Sequence, residues 1–294
     1  VFNQGLSPSN GEVYIQIESS GNIEFELSEI VLEDLSSRES IDLGGISYFT
    51  PITQNGSVET IAVNVYDDDG FIFSADEIQI IVGETELFIN QDFEGENNWI
   101  VGDNQDTATA GIWELAIPSA TYDEQSNLVQ PDVDHTFNGN TCFITQNGNN
   151  PNSPGQSDVD GGKTTLTSPN YDLSNYSGAI LSYWKWFTNN QGNNPGNDKW
   201  LVEISNNGGN SWVELENTTE SNNYWKSEQF YINDYVELSS LIKIRFVAED
   251  IYYDGDNGSG GSLIEAAIDD FIIEVFNLNE CIAGDLNEDG SINI

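Results

Sequence analysis

Basic side chains are almost missing. The 294 residues hold seven Lys and Arg against 50 Asp and Glu, a formal net charge of -43. Nucleic-acid affinity depends on Lys and Arg displacing counterions, so a phosphate backbone is excluded as a partner. An anionic membrane surface is disfavoured for the same reason, and no hydrophobic run is long enough to insert across a bilayer. The single histidine, His135, excludes sites built from several His ligands. No Ser lies in a nucleophile-elbow pattern; the many carboxylates leave a glycosidase dyad open, although beyond the neighbours Asp269 and Asp270 no motif sets two acids on one strand face in a cleft-like context. Cysteine is limited to Cys142 and Cys281, which leaves open one long-range disulfide or two thiols. A chain of this length buries a core without a disulfide framework. It opens Val1-Phe2-Asn3-Gln4, with neither a Met nor an apolar run, and it stops inside a motif. Both ends are therefore expected to be cuts in a longer protein.

What is present is acid and aromatic. Aromatic residues make up 11% of the chain, with 7 Trp and 12 Tyr, and disordered acidic chains are poor in them. The charge implies solubility and an affinity for hard cations such as calcium. It suits salty, extracellular surroundings, where self-repulsion is screened within roughly 10 Å.

The length suggests about two domains. Val13, Ile15 and Ile17 alternate with polar residues; Ile23, Phe25 and Leu27 repeat the pattern after a turn. Ile61, Val63 and Val65 follow, then the turn Asp67-Asp68-Asp69-Gly70, then Ile78, Ile80 and Val82. Short alternating strands between turn residues predict a β-sandwich over 1–84. A weak helix candidate runs from Ile30 to Leu35. All seven Trp lie beyond this region, which supports a boundary near Gly83-Glu84 and a second domain over 85–277. Its strand candidates are Ala179 to Phe187, Trp200 to Ser205, Ile242 to Ala248 and Ala267 to Val275. The stretch from Asn138 to Gly162, rich in Asn, Gly, Ser and Pro, is expected to be an exposed loop.

The opening Asn3-Gln4-Gly5-Leu6 and its strand resemble the Ig-like modules of bacterial exoproteins. In the second region, Phe93-Glu94, Trp99, Gly111-Ile112-Trp113-Glu114, Gln130-Pro131 and Thr141-Cys142-Phe143-Ile144-Thr145 come first. Asp158-Val159-Asp160-Gly161-Gly162, Leu166-Thr167-Ser168-Pro169, Leu181-Ser182-Tyr183-Trp184 and Ala266-Ala267-Ile268-Asp269-Asp270-Phe271 follow. This order resembles the MAM-like jelly-roll module of secreted metallopeptidases of the immune-inhibitor-A type and zinc carboxypeptidases. The resemblance implies an all-β chain: an Ig-like sandwich, then a jelly roll that assists its host and performs no chemistry. It also implies a structural calcium held by Glu94, Asp269 and Asp270, with Asp160 a weaker fourth candidate. Calcium takes several oxygen ligands, and neighbouring carboxylates otherwise repel. The alternative is that Asp269 and Asp270 mark a strand entry on an acidic surface.

Residues 278–294 form a tail in which Gly284 to Ile294 resemble the first calcium loop of a type I dockerin, the alternative being an ordinary Asn/Asp/Gly turn. Asp285, Asn287 and Asp289 occupy positions one, three and five, Gly290 position six, and Ser291 offers its carbonyl at seven. The closing carboxylate at position twelve is missing. The tail implies a cohesin-like or cell-surface partner. Ser205-Asn206-Asn207-Gly208-Gly209-Asn210-Ser211-Trp212 resembles an Asp-box hairpin, with Asn207 for the usual Asp and a structural role. Cys281 follows the last strand candidate and Cys142 lies within the module, so a disulfide between them is a candidate pairing. Trp184 and Trp186 share a strand face: exposed, they would stack on a glycan; buried, they are core. The reading is an extracellular, non-catalytic, calcium-stabilised accessory and anchoring region. It would serve an upstream catalytic or adhesive domain of the same chain, most readily a peptidase. The alternative is a surface adhesin or glycan-binding protein, and a third reading is a glycosidase within the jelly roll, which an acid pair about 5–9 Å apart in an open cleft would favour.

Overall fold

The computed structural model describes residues 1–9, 11–19, 23–49, 55–192, 194–250 and 261–278. Cys281, Asp285, Asn287, Asp289 and Ser291 lie outside the described residues, and with them the disulfide and the dockerin-like loop. The chain forms two compact units, one over Val1–Glu84 and one over Thr85–Asn277. Among the described residues, no helix is long and apolar enough to cross a membrane.

The first unit contains β1 (Val13–Ser19), β2 (Glu24–Phe25), β3 (Glu29–Leu32), β4 (Tyr48–Phe49), β5 (Ser57–Asp67) and β6 (Ile72–Val82). Four strands form an antiparallel sheet in the order β3-β1-β5-β6, and β2 pairs with β4. Period-2 alternation buries Val13, Ile15 and Ile17 on one face of β1, and Ile23 and Leu35 are buried as well. The β5–β6 hairpin closes where expected: the Asp67 carboxylate accepts from the Asp69 and Phe71 amides, and Gly70 takes φ 79°. The helix candidate at Ile30–Leu35 is corrected. Ile30 and Leu32 ladder against Ile15 and Val13 in β3, because one short turn cannot repay helix nucleation when a sheet edge is at hand.

The second unit runs through β7 (Glu86–Gln91), β8 (Ile100–Val101), β9 (Trp113–Ala116), β10 (Thr121–Tyr122), β11 (Leu128–Gln130), β12 (Cys142–Thr145) and β13 (Gly162–Thr167). It continues through β14 (Tyr176–Thr188), β15 (Lys199–Ser205), β16 (Val213–Thr218), β17 (Asn222–Tyr231), β18 (Lys243–Asp250) and β19 (Glu265–Asn277). One sheet has the order β17-β14-β19-β12-β9, with β7 also paired to β19; the other has the order β16-β15-β18-β13-β8. Their inner faces share a core. Leu181, Tyr183, Phe187, Ile268, Phe271 and Ile273 come from the first sheet, and Trp200, Val202, Ile204, Ile244, Phe246 and Ala248 from the second. Tyr183 and Phe246 meet edge to face at 4.9 Å across the layers. This is a β-sandwich, and the chain is all-β. The expected exposed loop over 138–162 is corrected in part. All four residues of β12 are buried, as are Ser157, Asp158 and Val159.

The outer face of the six-stranded sheet is not bare. A strap running through β10, β11 and residues 131–136 crosses it. The Trp186 indole donates to the Val129 carbonyl at 2.8 Å, the Asn223 amide to Leu128 at 2.6 Å, and the Trp225 indole to Val133 at 3.1 Å. Beneath the strap, Cys142, Ile144, Trp186 and Ala267 form a second apolar cluster.

Candidate metal centre

The central strand β19 carries the candidate acids. A regular strand sends adjacent side chains to opposite faces, yet Asp269 and Asp270 both reach the strap. A bulge explains this. Ser182 pairs with Ile272 and Trp184 with Asp269, so β19 holds one more residue than β14 between those pairs. Asp270 absorbs it at φ 45°, a left-handed conformation that Asp tolerates better than most residues. Ile268 and Phe271 on either side still point into the core.

Asp269 is fully buried. Its Oδ2 accepts the backbone amides of His135 at 2.8 Å and Thr136 at 3.1 Å, and its Oδ1 accepts the Asp270 amide at 2.8 Å. Burial pushes its carboxyl up to about 7, against the opposing pull of those amides. Asp270 accepts the Thr136 hydroxyl at 2.7 Å and lies 2.6 Å from Nδ1 of His135. The His135 ring stacks on Trp184 at 3.7 Å.

Glu94 arrives from the other side. Gln91 pairs with Phe271, so the chain leaving β7 passes beside the bulge, and the Thr136 hydroxyl contacts the Asp92 carbonyl at 3.5 Å. Phe93, at φ 55°, turns into the core. Glu94 Oε1 accepts the amides of Asn140 and Thr141, both at 2.7 Å, and these hold its carboxyl below the usual range. Asp134 completes the group. Its Oδ2 is buried with no hydrogen-bond partner, and its carboxyl is pushed up by burial and then by the charge of Glu94. A Cβ added at Gly139 would lie 2.2 Å from Asp134 Oδ2 and 2.8 Å from Glu94 Oε1, so these two carboxylates share one small space.

The structure therefore brings Glu94, Asp269 and Asp270 into one neighbourhood and adds Asp134, which the sequence reading missed. Among the described residues, no three His, Cys, Asp or Glu side chains already stand in a finished metal-holding arrangement. The four carboxylates offer hard oxygen donors of the kind calcium takes.

Asp160 is not part of this group. It pairs with Ala110, and the neighbouring Val159 amide bonds the Ile264 carbonyl. That places it near the start of β19, about 17 Å along the strand from Asp269 at roughly 3.3 Å per residue.

The glycan platform is corrected too. Trp186 is 3% exposed and tied under the strap, and Trp184 has one ring face covered by His135. A sugar-stacking pair needs both rings open.

The Asp-box-like hairpin is built as its residues suggest. Asn207 Oδ1 accepts the Ser211 amide at 3.0 Å, Ser205 Oγ accepts the Gly209 amide at 2.8 Å, and Gly208 and Gly209 take positive φ. Arg245 lies 4.3 Å over the Trp212 ring. The other polar groups of the hairpin bond within the turn or, through Asn206, to Glu237 and Ser239.

No protein-family model matches the chain, and no curated protein matches it. Solved structures show weak likeness. A carbohydrate-binding module in complex with β-1,4-galactotriose is 13% identical, over 64% of this chain and 97% of its own, with a TM-score of 0.36. A structure described under carbohydrate-binding modules of the β-sandwich superfamily is 10% identical, over 89% and 84%, also at 0.36. A module specific for non-crystalline cellulose is 10% identical, over 59% and 90%, at 0.28. At TM-scores this low the likeness decides neither the fold nor the ligand of this chain.

Proposed function

We propose that this chain is a non-catalytic, calcium-stabilised accessory and anchoring region of a secreted multi-domain protein. The observation that supports this reading is the nearness of Asp134 to Glu94 on one side and to Asp270, next to Asp269, on the other, where the strap is tied to the central strand. A cation there would neutralise like charges and lock the roof of the sheet onto its floor. The acids with strongly raised proton affinity, Asp158, Glu265 and Asp269, are at most 2% exposed. A general acid working on a polymer would have to be reachable. The peptidase context of the host rests on the resemblance of the sequence motifs alone.

Melting the intact chain with calcium and with chelator tests the proposal. Extracellular calcium sites have dissociation constants of about 10⁻⁴ M. A hundredfold excess of calcium then stabilises by about 2.7 kcal/mol, or roughly 5–11 °C for a unit of this size. Asp270→Asn, which keeps the left-handed backbone, should remove part of that shift. A full shift in D270N, or none in the parent, sinks the reading.

A further inference from the structure

A second group of acids lies at the start of β19, four residues before Asp269, and its chemistry is unlike that of Glu216. Glu216, for comparison, is fully served. It takes the Tyr183 hydroxyl and the Trp200 indole, each at 2.9 Å, and pairs with Lys185. Glu265 has no such company. It is 0% exposed; one oxygen accepts the Thr145 hydroxyl at 3.1 Å, and Oε1 has no partner. Asp158 is 2% exposed and its Oδ1 has no partner either. An unmet buried carboxylate oxygen costs more than a satisfied one returns, and here two occur side by side.

The backbone brings them together. The Val159 side chain enters the core, so Asp158 and Asp160 share the other face of that short extended run. The 2.9 Å bond from the Val159 amide to the Ile264 carbonyl sets both beside Glu265. Asp250 ends β18 opposite Gly162, two residues past Asp160, and is 1% exposed. Gly111 allows the close approach: a Cβ there would lie 2.4 Å from the Val159 backbone.

We propose that Asp158, Asp160, Asp250 and Glu265 bind a second calcium ion, independent of the Asp269–Asp270 site. The proton affinities agree. Burial first, then the charges of Asp160 and Asp250, push Asp158 up to about 8, and Glu265 is driven well up by burial and by Asp158. The four carboxylates do not yet converge on one point, so side-chain rotation must draw them onto the ion. Calcium suits this because it accepts six to eight oxygens in flexible geometry.

The test is calcium titration calorimetry on the metal-stripped intact chain and on Asp158→Asn, Glu265→Gln and Asp160→Asn, with Asp270→Asn in parallel. D158N and E265Q should each bind one ion fewer than the parent. Half-exposed Asp160 tolerates an amide, so D160N should fold and bind that ion at least tenfold more weakly. The melts should change sign with conditions. In chelator, D158N and E265Q should melt no lower than the parent, because each replaces a carboxyl that must take up a proton to be buried with an amide that is already neutral. In calcium they should melt lower. A purely structural acid would lower both melts equally, which overturns the proposal. Unchanged ion count in E265Q together with unchanged affinity in D160N overturns it as well. An ion lost in D270N but kept in E265Q leaves the first site standing and removes this one; the reverse pattern removes the first.

Discussion

Strand β1 buries Val13, Ile15 and Ile17 on one face much as β18 buries Ile244, Phe246 and Ala248. Around these strands, however, the two units differ in kind. In the first, a four-stranded sheet ends on β6, where Ile72, Phe73 and Ile78 are each more than half exposed, as is Phe71 before it. In the second, a facing sheet closes over the same kind of strand, and 27 buried residues among those described join one cluster. Alternation specifies a strand and a buried face. It does not supply the second layer, which here comes from Trp and Phe side chains long enough to meet across the gap.

The sharpest way to break this comparison is to empty one core. Phe246→Ala should cost about 3–5 kcal/mol in the second unit, and Ile15→Ala about 2–5 kcal/mol in the first. In scanning calorimetry of the intact chain each should move a different transition. Equal displacement of both transitions by F246A would make the two units one cooperative body.

A smaller effect is expected from pH. Asp158 and Asp269 hold their protons up to about 8 and about 7 in the folded chain, against about 4 when unfolded. The folded state then binds more protons across that window, so its stability falls as pH rises from about 4 to about 8. This slope should appear in chelator and in the second unit's transition. Calcium, which needs the ionised acids, should flatten or reverse it. Chelator melts that rise steadily from pH 5 to pH 8 would contradict the burial of these two acids.

The smallest effect is in the β15–β16 hairpin. Asn207→Ala removes the acceptor of the Ser211 amide and should cost about 1 kcal/mol. Asn207→Asp, which keeps that acceptor, should be nearly neutral. Denaturant midpoints of the two variants decide it; a loss in N207D as large as in N207A would assign the role to the amide nitrogen.

The sequence made β14, β15, β18 and β19 legible because their apolar runs are long; the other strands of the second unit, from β7 to β13 with β16 and β17, carry no such run. Glu94 and Asp270 also come near each other, each beside Asp134, an acid the sequence did not single out. Two things stayed hidden for physical reasons. The strap over Trp186 depends on main-chain acceptors at Leu128, Val129 and Val133, and main-chain groups look alike in every sequence. Asp160 was assigned to the wrong group because only the Val159–Ile264 bond reveals which end of β19 it faces. One sign of the second acid group was there to see. Glu265 interrupts an apolar strand whose neighbours Ile264, Ala266 and Ala267 are all buried, and a lone charge in such a run demands a partner.

The placement of the indoles has a further use. Trp184 lies against His135, which touches Asp270, and Trp186 and Trp225 meet at 6.1 Å beneath and beside the strap. Every Trp belongs to the second unit, while the first has only Tyr and Phe. Emission excited at the red edge of the indole band therefore follows one unit, and tyrosine absorbance includes the other. Loosening of the strap would alter the packing around three indoles, changing their colour and intensity before the sandwich opens. The protein thus carries an optical probe of its own roof, and needs no label to report when that roof lifts.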